Sequence, residues 1–253
     1  MFGISTLSIL SSKMNTTVSV SIAGIPVTSG LTAQWESDSI VGLNDGDGIT
    51  TWADLSGNGH DATQSSATLK PAYNTNIFGT KPSVKFDGVN DAFGIANTIA
   101  LPNFTVFLVQ LIGSVSPWVY QVANMQWGHA GIQGFALNGD GSLGGSFGAH
   151  ITIHGTSSNE LLNKKMNGIS WATNTKHLIV WTYDGATVAA RSDGADRTVS
   201  TNDSGFGYSP DEIGWSFQYT NGWISAIIIY NRVLSGTEIS SVETYLNTKY
   251  PCF

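Results

Sequence analysis

The chain has little cysteine, little charge and no long apolar run. Cys252 is its only cysteine in 253 residues. No disulfide can form within it, so stability must come from a packed core. A lone thiol beside the C-terminus reads as incidental rather than catalytic. Charged residues make up only 11% of the chain, and the formal net charge is −7. Nucleic acid would require a clustered basic surface, which this balance does not provide. No segment approaches the roughly twenty consecutive apolar residues of a membrane-crossing helix, so no span is expected. No repeat of fixed period is visible, which excludes a propeller or a solenoid.

What is present is a β pattern. There are 29 Gly residues, and Ser, Thr and Asn separate short apolar runs, as in an all-β domain. Phe104–Ile112, His177–Tyr183 and Thr187–Arg191 read as strands. Asp184-Gly185 and Asp193-Gly194 follow as hairpin signals, because Gly tolerates the positive φ of such turns. Ile224, Ala226, Ile228 and Tyr230 share one face of a period-two strand, while Ile227 and Ile229 make the other face apolar. A strand apolar on both sides should be covered on both sides. Ser235 and Glu238 have capping-box spacing, Ile239, Val242, Tyr245 and Leu246 recur at helical spacing, and Pro251 stops the run. One helix over 236–249 is therefore predicted, packed outside a core of Phe86, Phe107, Val109, Ile179, Trp181, Ile227 and Ile229. At this length about three-quarters of the unfolded-chain surface can be buried in a single domain.

Three segments carry a family resemblance. The ending IIIYNRVLSGTEISSVETYLNTKY, the turn Trp52-Ala-Asp54-Leu-Ser56-Gly57-Asn58-Gly59-His60 and the stretch Lys81-Pro82-Ser83-Val84-Lys85-Phe86-Asp87-Gly88-Val89-Asn90-Asp91 occur in the family's order. Together they resemble the laminin-G-like jelly rolls of bacterial and phage proteins, within the concanavalin A-like lectin/glucanase superfamily. The resemblance covers roughly Leu31 to Tyr250. It implies an all-β, two-sheet antiparallel jelly-roll sandwich, concanavalin A-like, with one C-terminal helix. Such a sandwich can host lectins, enzymes and spacers alike.

Catalytic and metal-binding patterns can be tested residue by residue. Glycoside hydrolases of the laminarinase type place their carboxylates in an E-x-D-x-x-E strand. The chain's Glu residues are Glu36, Glu160, Glu212, Glu238 and Glu243, and the nearest approach, Glu36-Ser-Asp38-Ser-Ile-Val41, lacks the second Glu. Glycoside hydrolysis needs a pair of carboxyls about 5–10 Å apart, so the chain is expected not to be an enzyme. Asp45-Gly-Asp47-Gly-Ile-Thr-Thr51-Trp52 only partly resembles a sialidase Asp box and reads as a turn entering a strand. His150 and His154 lie on an alternating strand-like segment, where side chains four apart are separated by about 13 Å, too far for one metal. Many laminin-G-like domains hold Ca²⁺ through Asp, Asn and loop carbonyls. The oxygen-rich loops here are Asn44 to Asp47, Asp54 to Asn58 and Asp87 to Asp91. Asp87, Asn90 and Asp91 are the leading candidates for Ca²⁺, which takes six to eight hard oxygens; the turn chemistry of Asn and Asp is the alternative.

Trp35, Trp52, Trp181 and Trp223 sit in strand-like surroundings and are expected in the core. Trp118, Trp127, Trp171 and Trp215 lie beside Gly, Pro, Asn or Ser, and are the candidate glycan-stacking side chains. The first 29 residues differ from the rest: Lys13 is their one charged side chain. With no basic n-region and no unbroken apolar h-region, Met1 to Ser29 is not read as a signal peptide. It is expected instead to be an anchoring arm, left uncleaved, that pairs either with a neighbouring chain or with its own sandwich, residues 30–253. Two function classes follow. One is a non-enzymatic structural or attachment protein of a viral, phage-like particle, such as a decoration, fibre or tail component, partnered by other virion proteins, by copies of itself or by host surface glycans. The other is a carbohydrate-binding, lectin-like module of a bacterial extracellular system.

Overall fold

The computed structural model describes residues 24–97, 99, 101–113, 119–124, 134–140, 149–154, 161–169, 172–201, 212–213 and 219–253. In chain order the strands begin with β1 (Leu31–Glu36), β2 (Thr51–Trp52), β3 (Ala62–Thr63), β4 (Ala72–Phe78), β5 (Lys81–Asp87) and β6 (Phe93–Ile95). There follow β7 (Phe104–Ile112), β8 (Val119–Asn124), β9 (Gly134–Asp140), β10 (His150–His154) and β11 (Leu161–Met166). The last are β12 (Lys176–Tyr183), β13 (Val188–Ser192), β14 (Ala195–Arg197), β15 (Val199–Thr201), β16 (Glu212–Ile213) and β17 (Asn221–Tyr230), before helix α1 (Gly236–Lys249).

These strands form the expected two-sheet sandwich, and paired strands run antiparallel. One sheet has the order β14-β13-β12-β7-β17-β5-β4, with β1 also paired to β17; the other runs β15-β11-β10-β9-β8-β16-β6-β3-β2. Between the sheets lie Trp35, Trp52, Phe86, Phe93, Phe104, Ile179, Trp181, Ile227 and Ile229. On the outer face of the first sheet, Phe107, Val109, Leu178, Val180, Ile228 and Tyr230 meet Ile239, Val242 and Leu246 of the helix. All seven predicted core residues are buried. Ser235 and Glu238 form the reciprocal capping box, and Pro251 follows the helix as its stop.

One feature of β17 departs from simple alternation. The ladder to β7 shifts register between Ile224 and Ala226. The extra residue, Ser225, is fully buried, and its hydroxyl donates to the Ser83 hydroxyl at 2.9 Å. A bulge inserts one residue and so exchanges the faces beyond it. Ile224 therefore joins Ile227 and Ile229 between the sheets, while Ala226, Ile228 and Tyr230 face the helix. The expected grouping of Ile224 with Ala226, Ile228 and Tyr230 is corrected accordingly.

Part of the N-terminal arm is described, and it rests on its own sandwich. Val27 is buried in the helix-side core, and its carbonyl accepts a hydrogen bond from the Tyr230 hydroxyl at 2.9 Å. Arg232 Nε donates to the Ser29 carbonyl at 3.0 Å. Residues 1–23 lie outside the described residues. No helix among the described residues is long and apolar enough to cross a membrane.

Candidate functional site

The turn after β2 closes the free edge of β1. One Asp54 oxygen accepts the amides of Gln34 and Ser56, each at 2.9 Å, and the other accepts the Ser56 hydroxyl at 2.8 Å and the His60 amide at 3.1 Å. Burial works against the Asp54 charge, but these amides and the hydroxyl outweigh it and hold the carboxyl below its usual range. Ser56 Oγ donates to the Thr32 carbonyl, and Asn58 Nδ2 donates to the carbonyls of Leu31 and Thr32. Leu55 N donates to the Gln34 carbonyl. A bare strand edge is a template for another chain; here the turn satisfies its amides and carbonyls. Trp35 completes the joint by donating from Nε1 to the His60 carbonyl at 2.9 Å.

The loop from Asp87 to Asp91 uses its carboxylates in the same local way. Asp87 Oδ1 accepts from the amides of Val89 at 2.8 Å and Asn90 at 3.2 Å, while Asp91 Oδ2 accepts from the Asp87 amide at 2.9 Å. Burial, with the charge of Asp87 adding to it, pushes the Asp91 carboxyl up to about 6. Gly88 has φ +79, and a Cβ there would meet Asn221 Cβ at 2.8 Å, so both backbone and space call for glycine. Asp87, Asn90 and Asp91 are thus brought into one turn. Among the described residues, however, no three His, Cys, Asp or Glu side chains are grouped to hold an ion. One oxygen of Asp87 and one of Asp91 are engaged by amides of the turn itself.

Glu36 and Asp38, the remnant of the hydrolase-like pattern, meet the end of the helix. Glu36 is fully buried. It pairs with Lys249 and accepts from Gln34 Nε2, and Tyr245 donates its hydroxyl to both Glu36 oxygens at 2.9 and 3.1 Å. Lys249 also reaches Asp38 at 2.8 Å, as do Tyr250 at 2.8 Å and Lys81 at 3.0 Å. Burial disfavours the Lys249 ammonium, but its bonds to Asp38 and Glu36 prevail and raise its pKa. Burial and the Glu36 charge push Tyr245 up to about 12. These carboxylates dock the helix onto the sheet.

The candidate glycan-stacking residues Trp118, Trp127, Trp171 and Trp215 lie outside the described residues. Three backbone links join segments at one end of the first sheet. Gly113 N donates to the Asn221 carbonyl, Asn174 N donates to the Ile112 carbonyl, and Asn221 pairs with Asp87. Trp35, Trp52 and Trp181 are buried as expected, whereas Trp223 is only half-buried, on the outer face of the sheet. His150 and His154 stand four apart on β10, as the alternation predicted. The sequence pointed Trp223 to the core because it opens a strand-like apolar run. The half-exposed position arises because α1 covers only part of that face.

No family model matches the chain, and no characterised relative matches it in sequence. Solved structures do resemble it. Domain 4 of AbnA, a GH43 extracellular arabinanase from Geobacillus stearothermophilus, solved in complex with arabinotriose, superposes with a TM-score of 0.59 at 14% identity; 85% of this chain and 98% of that one are covered. Trypanosoma rangeli sialidase in complex with sialic acid gives 0.52 at 16% identity, over 90% of this chain and 34% of that one. An arabinofuranosidase complexed with arabinofuranosyl-alpha-1,2-xylobiose gives 0.51 at 14% identity, over 80% and 51%. The chain thus spans about a third of the sialidase and half of the arabinofuranosidase. At such identities the likeness shows a shared sandwich fold.

These similarities correct one expectation. The chain was expected not to be an enzyme because its strand lacks the paired-carboxylate motif. The sandwich is one that glycoside hydrolases and sialidases contain, so the exclusion is withdrawn. Counting Glu tests a single local pattern, whereas folding can bring carboxylates together from separate strands.

Proposed function

We propose that this chain is a carbohydrate-binding, lectin-like module of the laminin-G-like, concanavalin A-like type, acting in an extracellular system. The observation that carries this reading is its superposition on almost the whole of an arabinanase domain solved with arabinotriose. One further feature supports it: the half-buried Trp223 lies on the outer face of the first sheet. The virion role rests on the arm, and in its described part, residues 24–29, Val27 and Ser29 contact the chain's own sandwich. The similarities therefore favour the second class over the first.

The test is direct binding of the full chain to a panel of soluble glycans, including arabinotriose, by titration calorimetry, with product release followed on the same panel. Saturable binding to at least one glycan is expected. If no member of the panel binds, the lectin-like reading is wrong.

A further inference from the structure

Four side chains on the outer face of the first sheet fall in one row. Lys85 pairs with Trp223, Trp223 with Leu111, and Leu111 with Lys176, across strands β5, β17, β7 and β12. Paired residues of adjacent strands project from the same face, and neighbouring strands lie about 4.8 Å apart, so three steps separate the lysine backbones by roughly 14 Å. The helix covers this row only in part; Phe78 of β4, which packs edge-on against Tyr250 at the helix end, reaches Lys176. Val109 and Leu178, one pleat further along, are buried beneath the helix, whereas Lys85, Trp223, Leu111 and Lys176 are all half-buried. Trp223 is held in place, since its Nε1 donates to Asn74 Oδ1 at 2.9 Å.

The two cations in this row differ from four others among the described residues. Lys81, Lys249, Arg191 and Arg232 are each ion-paired to carboxylates. Lys85 and Lys176 have no such partner among the described residues. Each instead places its ammonium over an aromatic ring, Lys85 at 5.5 Å from the Trp223 centroid and Lys176 at 4.9 Å from that of Phe78. In a chain with net charge −7, two ammoniums, one of them also near the Asp91 carboxylate, flank an indole and a leucine on one face. Apolar C–H faces of sugars pack on indole, and ammonium groups bind carboxylates.

We infer that this row binds an extended sugar chain carrying carboxylates, of the uronate type, with one sugar against Trp223 and Leu111 and acidic groups at Lys85 and Lys176. The inference rests on the carbohydrate-binding reading and names the ligand class for it. The full chain should be titrated with trigalacturonic acid, with arabinotriose as the neutral probe and dextran sulfate as the bulk polyanion. The expected result is that trigalacturonate binds more tightly than arabinotriose and weakens as salt is raised. Lys85→Ala and Lys176→Ala should each weaken it roughly fivefold and leave arabinotriose unchanged. Trp223→Ala should weaken it further, and Trp223→Phe should restore part of the loss if the ring is the contact; unchanged circular dichroism keeps folding apart from binding. The proposal is overturned if both lysine variants bind trigalacturonate like the parent chain, or if dextran sulfate displaces it without regard to the tryptophan. Binding of arabinotriose by every variant, with no preference for the acid, would leave the lectin-like reading standing and remove this site. Binding of no probe would remove both.

Discussion

Asp54 and Glu36 stand close together in the fold, one in the turn against β1 and one at the end of β1, yet their charges are balanced by opposite means. Asp54 is half-buried and is satisfied by the amides of Gln34, Ser56 and His60, with the Ser56 hydroxyl. Glu36 is wholly buried and is satisfied by an ammonium, a phenol and an amide, two of them from the far end of the chain. Amide donors are fixed by backbone geometry and need no side-chain ordering. An ammonium has to be brought in on a flexible stem and desolvated, which is recovered only when its partner stays in place. The turn is therefore a local device, whereas the Glu36 cluster depends on the helix being docked.

The largest expected effect breaks the distant device. Lys249→Met leaves Glu36 buried without its cation and should cost about 3–5 kcal/mol in denaturant unfolding. Adding Glu36→Gln should restore most of that loss, since the uncompensated charge is then gone. If the double variant is as unstable as the single one, packing by the lysine stem rather than charge is responsible.

Breaking the local device should cost less. Asp54→Ala strands the donors that converge on it and should cost about 2–3 kcal/mol, with Asp54→Asn milder because one acceptor remains. Smaller again, Asn58→Ala removes the donor to the Leu31 and Thr32 carbonyls and should cost about 1 kcal/mol. That variant also uncovers the edge of β1, so light scattering should show more self-association than the parent chain. Unaltered scattering would mean that Ser56 and Leu55 suffice to close the edge.

Asp91 sharpens the comparison through pH. Its carboxyl is raised from 3.8 to about 6 in the folded protein, so between those values the folded state holds more proton than the unfolded one. Stability from this group is therefore greatest at low pH, declines as pH rises from about 4 to 6, and stays reduced above that. Asp91→Asn should flatten this part of the stability profile and gain about 1 kcal/mol or less at neutral pH, after allowing for solvent screening. An unchanged profile would show that the Asp91 charge is already well solvated.

The Asp54 turn was legible as a motif because everything it does is local or reaches one adjacent strand. The Glu36–Asp38 pair was legible only as a failed hydrolase pattern. Nothing in Glu36-Ser-Asp38 announces Lys249, Tyr245 or Tyr250, which lie more than two hundred positions later. Trp223 was misplaced for a related reason, since strand periodicity tells which residues share a face but not how far a covering helix extends. The Ser225 bulge was invisible too, because an inserted residue is defined only by the partner strand it fails to match.

The sequence by itself determined the all-β class, the strands around Phe104–Ile112 and His177–Tyr183, and the helix with its capping box and its stop at Pro251. Those are read from periodicity, turn residues and caps, which act over a few positions. Tertiary structure alone decided that the helix is locked by Glu36 and Asp38, that β17 changes face at Ser225, and that Lys85, Trp223, Leu111 and Lys176 share one row. Each of these depends on cross-strand register or helix docking, where loop closure and packing bring together residues that no local pattern connects.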